Sequence, residues 1–154
     1  MKPLVLYLLM SYAALTAQAV FFTGTKPDVV LILVCFFGLR YGQLKGMTYG
    51  ALSGLVMDIA CGFVLGPHII SKSVAGFVIG AVREQLFQWN IIINTIVVTF
   101  FAVVNIALVY LIFETFSRVS FDSRSSLLSL LEVVYTVLAS IALYPLFRPD
   151  RGYR

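Results

Sequence analysis

Charge is what this sequence has least of. Charged residues fill 12% of the 154 positions and hydrophobic ones 60%, whereas a soluble domain carries roughly 25% charged residues. A chain of this length forms one domain, and a small globule leaves too much surface exposed to hide that apolar content from water. Lipid is the solvent that accommodates it. Histidine is almost missing: His68 stands alone in a Gly-Pro-His turn. The two cysteines, Cys35 and Cys61, lie far apart inside apolar runs and form no C-x-x-C. A zinc centre of the usual ligand set is thereby excluded, and both thiols read as small hydrophobes. There is no G-x-S-x-G elbow, P-loop or dinucleotide fingerprint. A serine–histidine pair would need Ser53, Ser71 or Ser73 to meet His68. The expectation is therefore no enzyme, no metal and no cofactor. A basic patch interleaved with aromatics is also absent, so the net charge of +4 does not indicate a nucleic-acid partner.

What is present is a succession of apolar runs punctuated by single positive charges, the pattern of a polytopic membrane protein. The runs predict an all-α integral membrane protein, a single six-helix transmembrane domain with segments at about 4–22, 28–39, 46–66, 68–82, 91–116 and 127–147. Ala17-Gln18-Ala19 imitates a signal-peptide cleavage site. The apolar run continues through Phe22, however, long enough to span the hydrocarbon and be retained as a first helix. Segment 2 is short, about 18 Å of helix. It must be extended by its flanks, lie in thinned lipid, or sit behind other helices.

Charge asymmetry favours six spans with both termini cytoplasmic. Inside then fall Lys2, Arg40, Lys45, Arg83, Arg148, Arg151 and Arg154; outside fall Lys26, Lys72, Arg118 and Arg124. Tyr41, Phe87, Trp89, Tyr144 and Phe147 would mark the inner interface, and Phe21, Phe22, Phe116 and Phe121 the outer one.

Segment 3 carries the densest signal. Gly46, Gly50, Gly54 and Asp58 recur every four residues, a spacing that keeps them on one helix face. In lipid such a stripe of small residues drives close helix association; the neighbour is internal or a partner. Segment 4 repeats the spacing with Lys72, Gly76, Gly80 and Glu84. The simplest arrangement is an antiparallel hairpin turned at Gly66-Pro67, with Asp58 about 12 Å below the turn and within reach of Lys72. An ion pair there would be either a structural register device or a functional site. Glu114 and Glu132 fall in the same outer half of the membrane, where the acids and the lysine would line a cavity or snorkel to headgroups.

Lys26-Pro27-Asp28 before a short apolar helix, Arg40-Tyr41-Gly42, the Gly46–Gly54 ladder, Asp58 with Gly62, and Leu65-Gly66-Pro67 together resemble the family of the bacterial rod shape-determining protein MreD. The likeness is closest over residues 26–80. It implies a non-enzymatic subunit of the elongasome supporting lateral peptidoglycan synthesis in the bacterial cytoplasmic membrane. Implied partners are the transmembrane segment of MreC and, through it, RodA, a class B penicillin-binding transpeptidase and MreB. It also implies a fold similar to the S-components of energy-coupling-factor transporters. The competing expectation is a small-molecule-binding subunit of a vitamin transporter of that type, in which Tyr7 and Tyr12 would supply stacking surfaces. A proton-coupled transporter using Asp58 is a third.

Overall fold

The computed structural model describes residues 2–21, 26–62, 65–82, 91–116 and 126–147. These form six α-helices: α1 (Lys2–Phe21), α2 (Val29–Tyr41), α3 (Gln43–Cys61), α4 (Pro67–Val82), α5 (Ile91–Phe116) and α6 (Ser126–Phe147). No strand occurs among the described residues. Successive helices alternate in direction. Tyr7 near the start of α1 meets Phe37 and Tyr41 near the end of α2, and Gln18 near the end of α1 reaches Pro27 just before α2.

The short second helix is the centre of the fold. It touches all five others, and every residue from Val30 to Gly38 is buried. An apolar surface on all sides is what a helix needs when protein surrounds it completely. Its thirteen residues rise only about 20 Å, and lying behind other helices resolves the shortfall in length. It is capped at each end: the Asp28 carboxylate accepts from the Leu31 amide, and the Gly42 amide closes back on the Gly38 carbonyl.

Two corrections to the expected boundaries follow from local chemistry. α3 ends at Cys61, before the expected limit at residue 66, because Gly62 takes the left-handed conformation (φ 70°) and returns its amide to the Asp58 carbonyl. α4 begins at Pro67, whose fixed φ and missing N–H suit the first helical position. The hairpin turn therefore already begins at Gly62, ahead of Gly66-Pro67. Asp58 lies in the last turn of α3, close to the hairpin turn rather than 12 Å from it.

The outer faces are as informative as the core. On α5, Ile92, Ile96, Phe100 and Val103 are exposed, while Asn94, Val98, Phe101, Ala102 and Asn105 face inward. On α6, Leu130, Leu131, Val134 and Leu138 are exposed, whereas Thr136 and Ser140 are buried. Polar groups inside and aliphatic groups outside invert the aqueous pattern and match a body solvated by lipid. Among the described residues α1, over Pro3–Phe21, is the helix long and apolar enough by itself to cross a membrane; α2 and α4 are shorter apolar helices.

Candidate functional site: a buried polar hub beside a glycine seam

The glycine stripe of α3 is occupied by α4. A Cβ on Gly46 would stand 2.5 Å from the Gly76 carbonyl oxygen, and one on Gly50 or Gly54 would collide with the backbone of Lys72 or His68. One on Gly80 would strike Gln43. The two backbones thus run antiparallel in direct contact, which small residues alone permit. Gly38 of α2 completes the junction: its own Cβ would lie 3.0 Å from the same Gly76 carbonyl. In the sequence Gly38 continues the same spacing, four residues before Gly42, but the break between α2 and α3 at Gly42 places it on a different helix.

The expected Asp58–Lys72 ion pair does not form. Asp58, 2% exposed, faces the N-terminus of α4 and accepts three backbone amides: Gly66 (2.8 Å) and Ile69 (3.2 Å) on Oδ2, and His68 (3.1 Å) on Oδ1. Gly66 precedes α4 without a side chain to cap it, so Asp58 supplies the cap from the neighbouring helix. The site suits it, because unpaired amides and the positive end of the helix dipole both favour a carboxylate.

Lys72 pairs instead with Asp28. Its ammonium lies 2.7 Å from Asp28 Oδ2, with both side chains buried. Asp28 is the hub of the bundle. Oδ1 accepts the Leu31 amide at 2.9 Å, Oδ2 also accepts Asn105 Nδ2 at 3.2 Å, and its own backbone amide donates to Thr136 Oγ1 at 2.9 Å. Thr136 in turn donates to the Glu132 carbonyl, and Gln18 donates to the Pro27 carbonyl one residue away. One residue thereby ties α2, α4, α5 and α6, with α1 joined through Pro27. In the sequence Asp28 stands out only as part of Lys26-Pro27-Asp28, an ordinary N-cap at the mouth of a short helix; the approach of Lys72 is what makes it a hub.

Glu132 is half-buried one turn before Thr136. Glu84 and the side chain of Glu114 lie outside the described residues. So do Arg83, Arg118, Arg124, Arg148, Arg151 and Arg154, together with Phe22, Phe87, Trp89 and Phe121. Lys72 is no loop charge, as the expected topology counted it, because it is sealed within the bundle. Tyr144 sits in the core rather than at an interface, whereas Phe21 is 80% exposed.

A second polar link lies along α5, where Asn94 Nδ2 donates to Ser140 Oγ at 2.9 Å. Further off, Tyr7, Phe37, Tyr41 and Tyr49 form an aromatic cluster with ring centroids 4.5–6.3 Å apart. The Tyr49 hydroxyl is held by Ser11 and by the Tyr7 carbonyl. Tyr7 therefore braces helices at the opposite end from Asp28 and offers no stacking surface near the hub; Tyr12 is exposed.

These groups hold helices to one another. Among the described residues no cluster of three His, Cys, Asp or Glu side chains is placed to hold a metal. Comparison with known proteins agrees with the family suggested by residues 26–80 and extends it over nearly the whole chain. Neither the curated proteins nor the solved structures returned a match. The family model described as rod shape-determining protein MreD matches residues 1–149. The family is a membrane family concerned with cell shape, and it is not a known enzyme family. With that coverage, the chain belongs to the MreD family of rod shape-determining proteins.

Proposed function

We propose that this chain is a multi-pass, non-enzymatic scaffold of the cytoplasmic membrane that binds the transmembrane segment of MreC and supports lateral peptidoglycan synthesis. Through MreC it would act with RodA, its partner transpeptidase and MreB. The observation that carries this reading is the use made of the polar groups. Asp28, Lys72, Asp58, Asn105 and Thr136 bond across helix boundaries, and the outward faces are aliphatic. That construction suits a rigid body in lipid, where packing and internal hydrogen bonds replace the hydrophobic effect as the force joining helices.

The glycine ladder cannot also seat a partner helix, since α4 already fills it. A partner segment would instead lie against an outward face, of which α1 is the least enclosed. Burial of Lys72 removes one positive charge from the outer side of the proposed topology and strengthens the cytoplasmic excess. Labelling with an impermeant maleimide tests the orientation: Lys26→Cys should react in intact cells and Lys45→Cys only after permeabilisation. The reverse pattern would invert the topology.

The functional test is purification of the tagged protein from its native membrane in mild detergent, with mass spectrometry of proteins and small molecules together. Recovery of a single-pass protein with an extracytoplasmic domain, accompanied by cell-wall synthases, supports the scaffold. A retained vitamin-like ligand with a cytoplasmic ATPase pair would replace it with the transporter-subunit reading.

A further inference from the structure

The two seams of this bundle are unequally finished. Between α3 and α4 backbones touch, and both oxygens of Asp58 have donors. Along the inner face of α5 the accounts do not close. Asn94 and Asn105 are buried, at 0% and 4% exposure, and each uses its amide nitrogen, toward Ser140 and Asp28. Neither side-chain carbonyl meets a donor among the described residues. The Lys72 ammonium has three N–H groups and a single acceptor among the described residues, Asp28. The two asparagines stand eleven residues apart on α5, three helical turns, and so point to the same side. A dry, unpaired carbonyl costs free energy that a hydrated one does not, so the closed seam is penalised twice on one helix face.

We propose that α5 is a movable wall which swings off α2, α4 and α6 to open a water-filled cleft, lined by Asn94, Ser140, Asn105, Thr136 and the Asp28–Lys72 pair, and that the structure is its closed form. Water supplies the donors the two carbonyls lack and further acceptors for Lys72. The α1–α4 body keeps its shape during this motion, because its glycine seam packs backbone directly against backbone and Asp58 caps α4 across it. Asp28 meets both walls of the cleft, accepting Asn105 of α5 on its carboxylate and donating its amide to Thr136 of α6.

Cys35 reports on the motion without any added probe. It is buried on α2 in the cluster that Val98, Phe101 and Ala102 of α5 share with Ala75 and Ile79 of α4 and Tyr144 of α6, so withdrawal of α5 would open one side of its cover to water. In a Cys61→Ser background, the full-length protein in lipid nanodiscs is exposed to a small water-soluble methanethiosulfonate, and modification is followed by intact mass. As reference, a Cys35→Ser, Cys61→Ser protein carries Ser53→Cys, a buried site on α3 beside the glycine seam. Cys35 should react at least roughly tenfold faster than the reference thiol. Asn94→Leu combined with Ser140→Ala, which removes the unpaired carbonyl together with the partner of its amide and leaves Asp28 and its partners in place, should slow Cys35 by roughly tenfold. An inert Cys35, equal rates at the two sites, or an unchanged rate in that double variant would each overturn the proposal. The comparison of the two thiols stands even where the leucine variant fails to fold.

Discussion

At the scale of single residues, burial decides what each charge does. Lys72 and Asp28 are enclosed together, so the loss of one leaves the other dry and unpaired. Breaking a buried pair in that way costs about 3–5 kcal/mol, whereas removing both charges is far less harmful. Lys72→Met is therefore expected to lower the denaturation midpoint in detergent sharply. The double variant Asp28→Asn, Lys72→Met should recover more than half of the loss, because asparagine still caps α2. A double variant no better than the single one would mean that the pair acts independently of its charge. Asp58 offers a contrast: its partners are three amides and no cation, so it behaves as a helix cap. The two acids look alike in the sequence, each beside a glycine-rich or proline-marked turn.

At the scale of helices, the glycines divide into two kinds with different penalties. Gly50 has ordinary helical geometry but no room, because a Cβ would enter the backbone of Lys72. Gly62 has open space but a φ of 70°. Alanine at Gly62 should cost only the left-handed penalty, about 1–2 kcal/mol. Alanine at Gly50 should cost about 3 kcal/mol or more, because a neighbouring backbone cannot yield as a side chain can. Thermal unfolding of the purified variants separates the two. Gly50→Leu should fail at assembly of the α3–α4 hairpin rather than at partner binding alone. Equal, small losses at both positions would show that the seam tolerates spreading.

At the scale of the whole molecule, the inverted arrangement of α5 and α6 makes a claim about solvent. Phe100 is 60% exposed and ten residues into α5. On a water-facing surface, substitution by lysine would shift stability by no more than about 0.5 kcal/mol. Near the middle of a membrane span it costs about 3 kcal/mol of insertion. Phe100→Lys is expected to reduce the alkali-resistant, membrane-inserted fraction strongly, while Lys45→Phe should not. Retention of full insertion by the lysine variant would place that face of α5 against protein or water.

Apolar run length and the scarcity of charge determined by themselves that the chain is helical and belongs in lipid. Those properties are local: each segment's composition states its solvent and its period without reference to a neighbour. The four-residue spacing of Gly46, Gly50 and Gly54 likewise announced close packing, and the pattern over residues 26–80 pointed to the family. Only the tertiary structure decided who meets whom. Whether α4 or another protein fills the glycine stripe, and whether Lys72 turns to Asp58 on α3 or to Asp28 forty-four residues away, depends on the rotation and depth of each helix. Those follow from the packing of all six helices at once, with α2 at the centre, and no single segment carries them.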